Sequence, residues 1–249
     1  MKRDGMARAA GCLGLLFALT FVWACGESEP PAEETREAAP TPGTLVPVPA
    51  ASAPRDVAVL EIQGHGEIRI ELLADVSPVT VANFVKLAGE GLYDGTLFHR
   101  VIPGFMVQGG DPNSKDDNRN NDGRGGPGYS IQDEFNELSF VRGIVAMART
   151  NRPNSAGSQF FIVHEDSRHL DGSYAAFGHV VEGMDVVDAM TRVEIDKYGR
   201  HGPRDRPRED LVLAKLRIEP GIGTGPGAAE PPEPPAAEAP SEAPEWDEG

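Results

Sequence analysis

The sequence predicts a mainly β domain, closed or nearly closed into a barrel with helices over its ends. Three observations lead there. Residues 55–219 contain eight short apolar runs bounded by turn signals, and only two stretches with helical periodicity. Many short strands with few helices bury their apolar faces best by curling one sheet around a core. The flanking segments have a different composition. Of 22 prolines, seven lie in residues 26–54 and eight in residues 220–249. The 220–249 tail adds seven acidic residues and no basic one, and the 26–54 stretch has five acidic residues against Arg36. Such segments bury too little apolar surface to offset their ordering entropy, so both are expected to be disordered.

The elements follow in order. "DVAVLEIQGHGEIRIELL" alternates apolar and polar residues on either side of "QGHG", the pattern of a hairpin. "SPVTVANFVKLAGEGLY" predicts a helix. Ser77 stands at the N-cap, Pro78 at the first position, and Gly89 or Gly91 at the end. "LFHRVI" and "FMVQGG" read as strands joined at Pro103-Gly104. "GIVAMAR", "SQFFIVH" and "AAFGHVV" are three more. "EGMDVVDAMTRV" is the second helix, and "LVLAKLRIE" the last strand.

The N-terminus reads as a targeting signal, residues 1–24. "MKRDGMARAA" is a positive n-region, and "GCLGLLFALTFVWA" an apolar stretch too short for a confident membrane span. Cys25 follows Ala24 at the end of that stretch, as in a bacterial lipoprotein signal, although Trp23 is bulky for the site. Cleavage would leave Cys25 as a lipidated, palmitate-bearing N-terminus, followed by a linker over 25–54. The expected location is a bacterial cell-envelope membrane, facing the periplasm or exterior. Cys12 would be removed with the signal, so Cys25 would be the one cysteine left, with no disulfide to form.

Several chemistries are excluded. The domain carries 26 acidic and 19 basic residues, without the concentrated basic face that nucleic acid needs. The loop 112–128 offers spaced acids, but Asn121 and Pro127 occupy the glycine and glutamate positions of an EF-hand, so it reads as a solvated surface loop. His164, Glu165 and His169 do not form H-E-x-x-H, and "NSAGSQF" is no nucleophile elbow. No metal and no cofactor are expected. What remains is Arg100, a permanent cation within the apolar run "FHRVIPGFMVQGGD", where the one carboxylate is Asp111 at the far end.

"FHRVIPGFMVQGGD", "GSQFFI" and "LDGSYAAFGHVVEGMDVV" together resemble the cyclophilins, which are peptidyl-prolyl cis–trans isomerases. The resemblance covers roughly residues 57–218. It implies an eight-stranded antiparallel closed barrel capped by two helices, with an apolar groove on its outer face. It assigns Arg100 as catalytic and Gln108 as the residue positioning it. Phe105, Met106, Phe161 and Leu170 become the socket for the proline ring, while Ala148 and Gln159 line the groove. His169 stands where many members have tryptophan, Tyr174 where histidine is frequent, and Arg149 where asparagine is common. The implied partners are proline-containing peptides and unfolded exported proteins, and a monomer is expected. A non-catalytic proline-binding module or chaperone of the same fold is the alternative.

The residue types suit the reaction. Amide rotation faces a barrier of about 18–20 kcal/mol because conjugation must break, and X-Pro exchange takes tens to hundreds of seconds unaided. No bond is made and no net proton moves. The site needs an apolar socket to hold the ring, and a donor for the lone pair that the prolyl nitrogen regains in the twisted state.

Overall fold

The computed structural model describes residues 44–200 and 202–221. The predicted signal segment, Cys25, the linker as far as residue 43 and the tail from residue 222 lie outside the described residues. The strands are β1 (Val57–Ile62), β2 (Gly66–Leu72), β3 (Thr96–Leu97), β4 (Arg100–Ile102), β5 (Met106–Gly109), β6 (Ile144–Met147), β7 (Phe160–Val163), β8 (Ala176–Glu182), β9 (Ile195–Asp196), β10 (Arg206–Pro207) and β11 (Val212–Glu219). Helix α1 spans Pro78–Gly89 and α2 spans Met184–Thr191.

Nine strands form one antiparallel sheet in the order β3-β11-β1-β2-β8-β6-β7-β5-β4, and β9 and β10 pair separately. The sheet is a strongly curled half-barrel, which corrects the expectation of a closed eight-stranded barrel. The extra strand comes from "LFHRVI", which splits in two. Its first residues pair with β11 and its last with β5. Between them the Phe98 amide donates to the Leu211 carbonyl. The outer edge of β4 is met by a loop instead of a strand, with the Val101 amide bonded to the Asp205 carbonyl. One isolated bridge, Leu97 to Asp111, is the nearest approach to closure. Register shifts at Glu61/Ile62, Arg69/Ile70 and Val145/Ala146 add twist where the sheet bends.

Strand alternation places one row, Val101, Val107, Ile162 and Val145, side by side across β4, β5, β7 and β6 on the inner face. That face meets Phe84 and Leu87 of α1 and Val187 and Met190 of α2 in the main core. Phe84, Tyr93, Phe160 and Phe177 pack there with ring centroids 5.0–5.7 Å apart. The outer face of the same strands carries a second cluster that includes Met106, Phe140, Ala146, Phe161 and Leu170. Both faces are covered, so these strands read as continuous apolar runs.

Helix α1 begins at Ser77 and Pro78 as predicted, but the cap is supplied elsewhere. The Ser77 hydroxyl donates to the Ala176 carbonyl, and the Glu134 carboxylate accepts from the amides of Val79 and Thr80. At the other end the Leu92 amide bonds to the Leu87 carbonyl and Gly91 to Ala88, with Gly91 at φ +70°. This is the glycine-terminated Schellman stop. Residues 44–49, assigned to the linker from their composition, run along the second cluster. The Val46 amide bonds to Ser139 Oγ, its carbonyl accepts from the Ser139 amide, and Arg168 donates to the Thr44 carbonyl. Val46 and Val48 pack against the second cluster.

Candidate functional site

The site grows out of strand register. Arg100 on β4 lies opposite Gln108 on β5, Gln108 opposite Phe161 on β7, and Phe161 opposite Ala146 on β6. All four therefore project from the outer face, the reverse of the Val101 row. Met106, two residues from Gln108, shares that face. The result is a guanidinium beside an apolar floor.

A pocket of about 270 Å³ opens on this face. Of the residues assigned from sequence, Arg100, Phe105, Met106, Gln108, Ala148, Phe161, Leu170 and Tyr174 line it. Met106 is 2% exposed, Phe161 5% and Leu170 8%, so the floor is held rigidly by its own packing. Phe161 meets Tyr174 edge-on at 5.4 Å and stacks on Phe140 at 6.2 Å. Phe105 forms the half-buried rim and tilts against the exposed His169 ring at 5.5 Å. The turn presenting Phe105 is tied down from behind, because the Gly104 amide donates to His164 Nδ1 and His164 Nε2 lies 3.2 Å from Asp188 on α2. His164 is thus a fixing point for the rim.

Gln159 and His169 stand outside the lining. Gln159 instead forms a link in a chain of amides. Arg100 Nη1 donates to Gln108 Oε1 at 3.3 Å, Gln108 Nε2 to Gln159 Oε1 at 3.0 Å, and Gln159 Nε2 to the Gly125 carbonyl at 2.9 Å. Each amide accepts through its oxygen from one neighbour and donates through its NH₂ to the next, so the chain runs in one direction, from Arg100 to the Gly125 carbonyl. Among the described residues no carboxylate pairs with Arg100, and Gln108 takes only one of its five donors.

Sequence reasoning did not find the opposite wall. His99, Asp122, Gly123, Pro203 and Arg204 also line the pocket, as does Arg149. The loop 112–128 is therefore more than a solvated excursion. Asp111, fully buried, accepts from the amides of Asn113 and Gly123. Asp122 pairs with the buried Arg206 at 2.6 Å. These contacts hold Gly125 where Gln159 reaches it. Gly110 is needed for the same assembly: at φ +81°, a Cβ there would sit 2.6 Å from the Ser158 carbonyl. No motif signals Pro203 or Arg204, which come from an irregular polar stretch.

His99 is buried, with no hydrogen-bond partner for either ring nitrogen. Burial pushes its pKa below the ordinary imidazole value, and the nearby Asp111 and Asp122 carboxylates only partly offset this. The unfolded chain then binds a proton that the folded one refuses. Stability should therefore fall as the pH drops below about 6.5, and continue falling until the lowered folded value is passed. Chemical denaturation between pH 5 and 8 checks this. His99→Gln should flatten the slope, leaving the part due to His179, whose pKa burial also lowers. An unchanged slope in His99→Gln would remove His99 from this account.

Residues 57–218 match the family described as cyclophilin type peptidyl-prolyl cis-trans isomerase/CLD. A probable peptidyl-prolyl cis-trans isomerase of Brucella suis is 44% identical over 147 residues, covering 57% of this chain and 74% of that protein. A peptidyl-prolyl cis-trans isomerase of Synechococcus elongatus is 50% identical over 135 residues, covering 53% and 87%. Peptidyl-prolyl cis-trans isomerase B of Bacillus subtilis is 43% identical over 141 residues, covering 56% and 93%. Among solved structures, a Cryptosporidium parvum cyclophilin type isomerase crystallised in the presence of the dipeptide Ala-Pro superposes with a TM-score of 0.58. It is 30% identical and covers 66% of this chain and 98% of its own.

Proposed function

The chain belongs to the cyclophilin type peptidyl-prolyl cis-trans isomerase family, and from that premise we propose how its groove works and where it acts. It is an isomerase of X-Pro bonds. The proline ring enters the socket of Phe105, Met106, Phe161 and Leu170 and stays fixed while the acyl side turns. As conjugation breaks, the prolyl nitrogen becomes an acceptor. Arg100, aimed by the Gln108–Gln159 chain, donates to it. The observation that carries this reading is a half-buried guanidinium beside an apolar floor, with no carboxylate among the described residues to neutralise it. Its missing partner is the substrate in its twisted state. Preorganisation matters because a donor already in place costs no reorganisation when the bond rotates.

The finer reading is a lipid-anchored enzyme acting as a monomer on proline-containing segments of exported proteins. The n-region, apolar stretch and Cys25 support export and the tether. Several acyl chains on Cys25 would hold the protein stably where one would not. Metabolic labelling with a fatty acid tests this. Label should appear on the wild type, which partitions into membranes, and be absent from Cys25→Ser. An unlabelled wild type would leave the enzyme free after cleavage or held by its apolar stretch. The enzyme reading is tested by protease-free isomerisation of a short X-Pro peptide. Binding of that peptide without acceleration of its exchange would mark a proline-binding module instead.

A further inference from the structure

The charge of the groove runs against the charge of the domain. Residues 55–219 carry an excess of seven negative charges, and much of the positive charge around the fold is neutralised by carboxylates. Arg55 meets Asp75, Arg69 meets Glu219, Arg142 meets Asp188, Arg206 meets Asp122 and Arg217 meets Glu67. The pocket is lined by three other arginines, Arg100, Arg149 and Arg204. Among the described residues none of the three lies within ion-pair distance of a carboxylate. The one acid in the lining, Asp122, is already engaged by Arg206.

Arg149 and Arg204 flank the socket from opposite ends. Arg149 follows β6, whereas Arg204 sits in the loop that covers the outer edge of β4, and β7 and β5 lie between. Arg149 is preorganised. Its guanidinium lies over the rings of Phe135 at 4.8 Å and Tyr174 at 5.4 Å. Its Nε donates to the Ser173 carbonyl and its Nη1 to the Thr150 carbonyl. Three of its five N–H donors stay available in a fixed plane, the geometry that accepts a carboxylate with little further loss of freedom. Arg204 is exposed, and among the described residues it makes no comparable bonds.

We propose that the groove selects prolines flanked by acidic side chains, with Arg149 and Arg204 as specificity-determining residues on either side of the socket. This rests on the isomerase reading above and adds its substrate class. A carboxylate one or two residues from the proline finds a guanidinium at each end, while a lysine there meets like charge. A contact to a side chain following the proline persists through the rotation, because that side stays fixed with the ring while the acyl side turns. The preference therefore appears in KM more than in kcat.

The test uses the full chain without its signal and three peptides, identical except for Glu, Gln or Lys placed beside the X-Pro pair. Exchange is followed without a coupling protease at low salt. The Glu peptide should exceed the Lys peptide in kcat/KM by about three- to tenfold, the range of partly exposed ion pairs, with the Gln peptide between them. Added salt near 0.5 M should shrink the spread. Arg149→Gln and Arg204→Gln should each narrow the Glu-to-Lys ratio. Equal turnover of all three peptides by the wild type would overturn the selectivity and leave the isomerase reading standing. No turnover of any peptide would take both down. A spread that persists in both variants would assign selectivity to other residues and overturn the roles given to Arg149 and Arg204.

Discussion

Replacing Arg100 by alanine lowers kcat/KM on a short X-Pro peptide by about 10²–10³-fold. The size follows from the role proposed for the side chain. A donor aimed at developing lone-pair density in a water-poor site is worth about 3–4 kcal/mol, a fraction of the 18–20 kcal/mol rotation barrier. The socket remains in the variant, because Met106, Phe161 and Leu170 are held by the second cluster and not by Arg100. Binding should therefore survive and the loss fall on kcat. Stability should change little, since Arg100 is half-buried and its protein partner is the amide of Gln108. Gln108→Ala should act in the same direction but more weakly, because it leaves the guanidinium present and merely unaimed. Near-wild-type turnover by a folded Arg100→Ala protein would exclude the donor mechanism.

Arg206→Met should destabilise the domain by about 3–5 kcal/mol, the cost of breaking a buried ion pair from one side. Arg206 is 4% exposed and bonds to Asp122 at 2.6 Å, to the Pro207 carbonyl at 3.1 Å and to Asp210 at 2.9 Å. Without it the Asp122 carboxylate is left buried beside His99, in surroundings where one of its oxygens already lacks a partner. The damage should reach the groove. Asp122 and Gly123 form its wall, and Gly125, two residues on, receives the amide chain from Arg100. Denaturant unfolding measures the first effect and peptide turnover the second. The double variant Arg206→Met with Asp122→Leu should recover much of the stability, because no charge is then left unpaired. If the single variant unfolds at the wild-type midpoint, the pair does not support the loop.

The sequence carried the face of the groove more clearly than the architecture around it. "FHRVIPGFMVQGGD" places Arg100, Phe105, Met106 and Gln108 within nine residues, and their side chains meet because β4 and β5 are joined by a tight turn. Phe161 comes from a distant strand but has the right parity to join them. Closure was not legible. Whether edge strands pair depends on the few residues where a run changes partner, and hydropathy passes through Phe98 and His99 without a break. The wall of Asp122, Gly123, Pro203 and Arg204 was hidden for another reason. It is built from two irregular loops whose association depends on one buried pair, Asp122 and Arg206, 84 residues apart. Neither residue has a periodic signature. The stretch 44–49 illustrates the limit of composition, since its prolines suggested a free linker, whereas Val46 and Val48 find apolar surface beside the socket.

In the proposed mechanism Arg100 stabilises the rotating amide and does not merely hold the peptide. Nuclear magnetic resonance exchange on one proline peptide measures both properties in the same sample, for wild type and Arg100→Ala. Peptide affinities should be equal within a few-fold, with cis–trans exchange of the bound peptide slower by about two orders of magnitude in the variant. Equal exchange rates in the bound state, or a loss of turnover that merely follows a loss of binding, would contradict it.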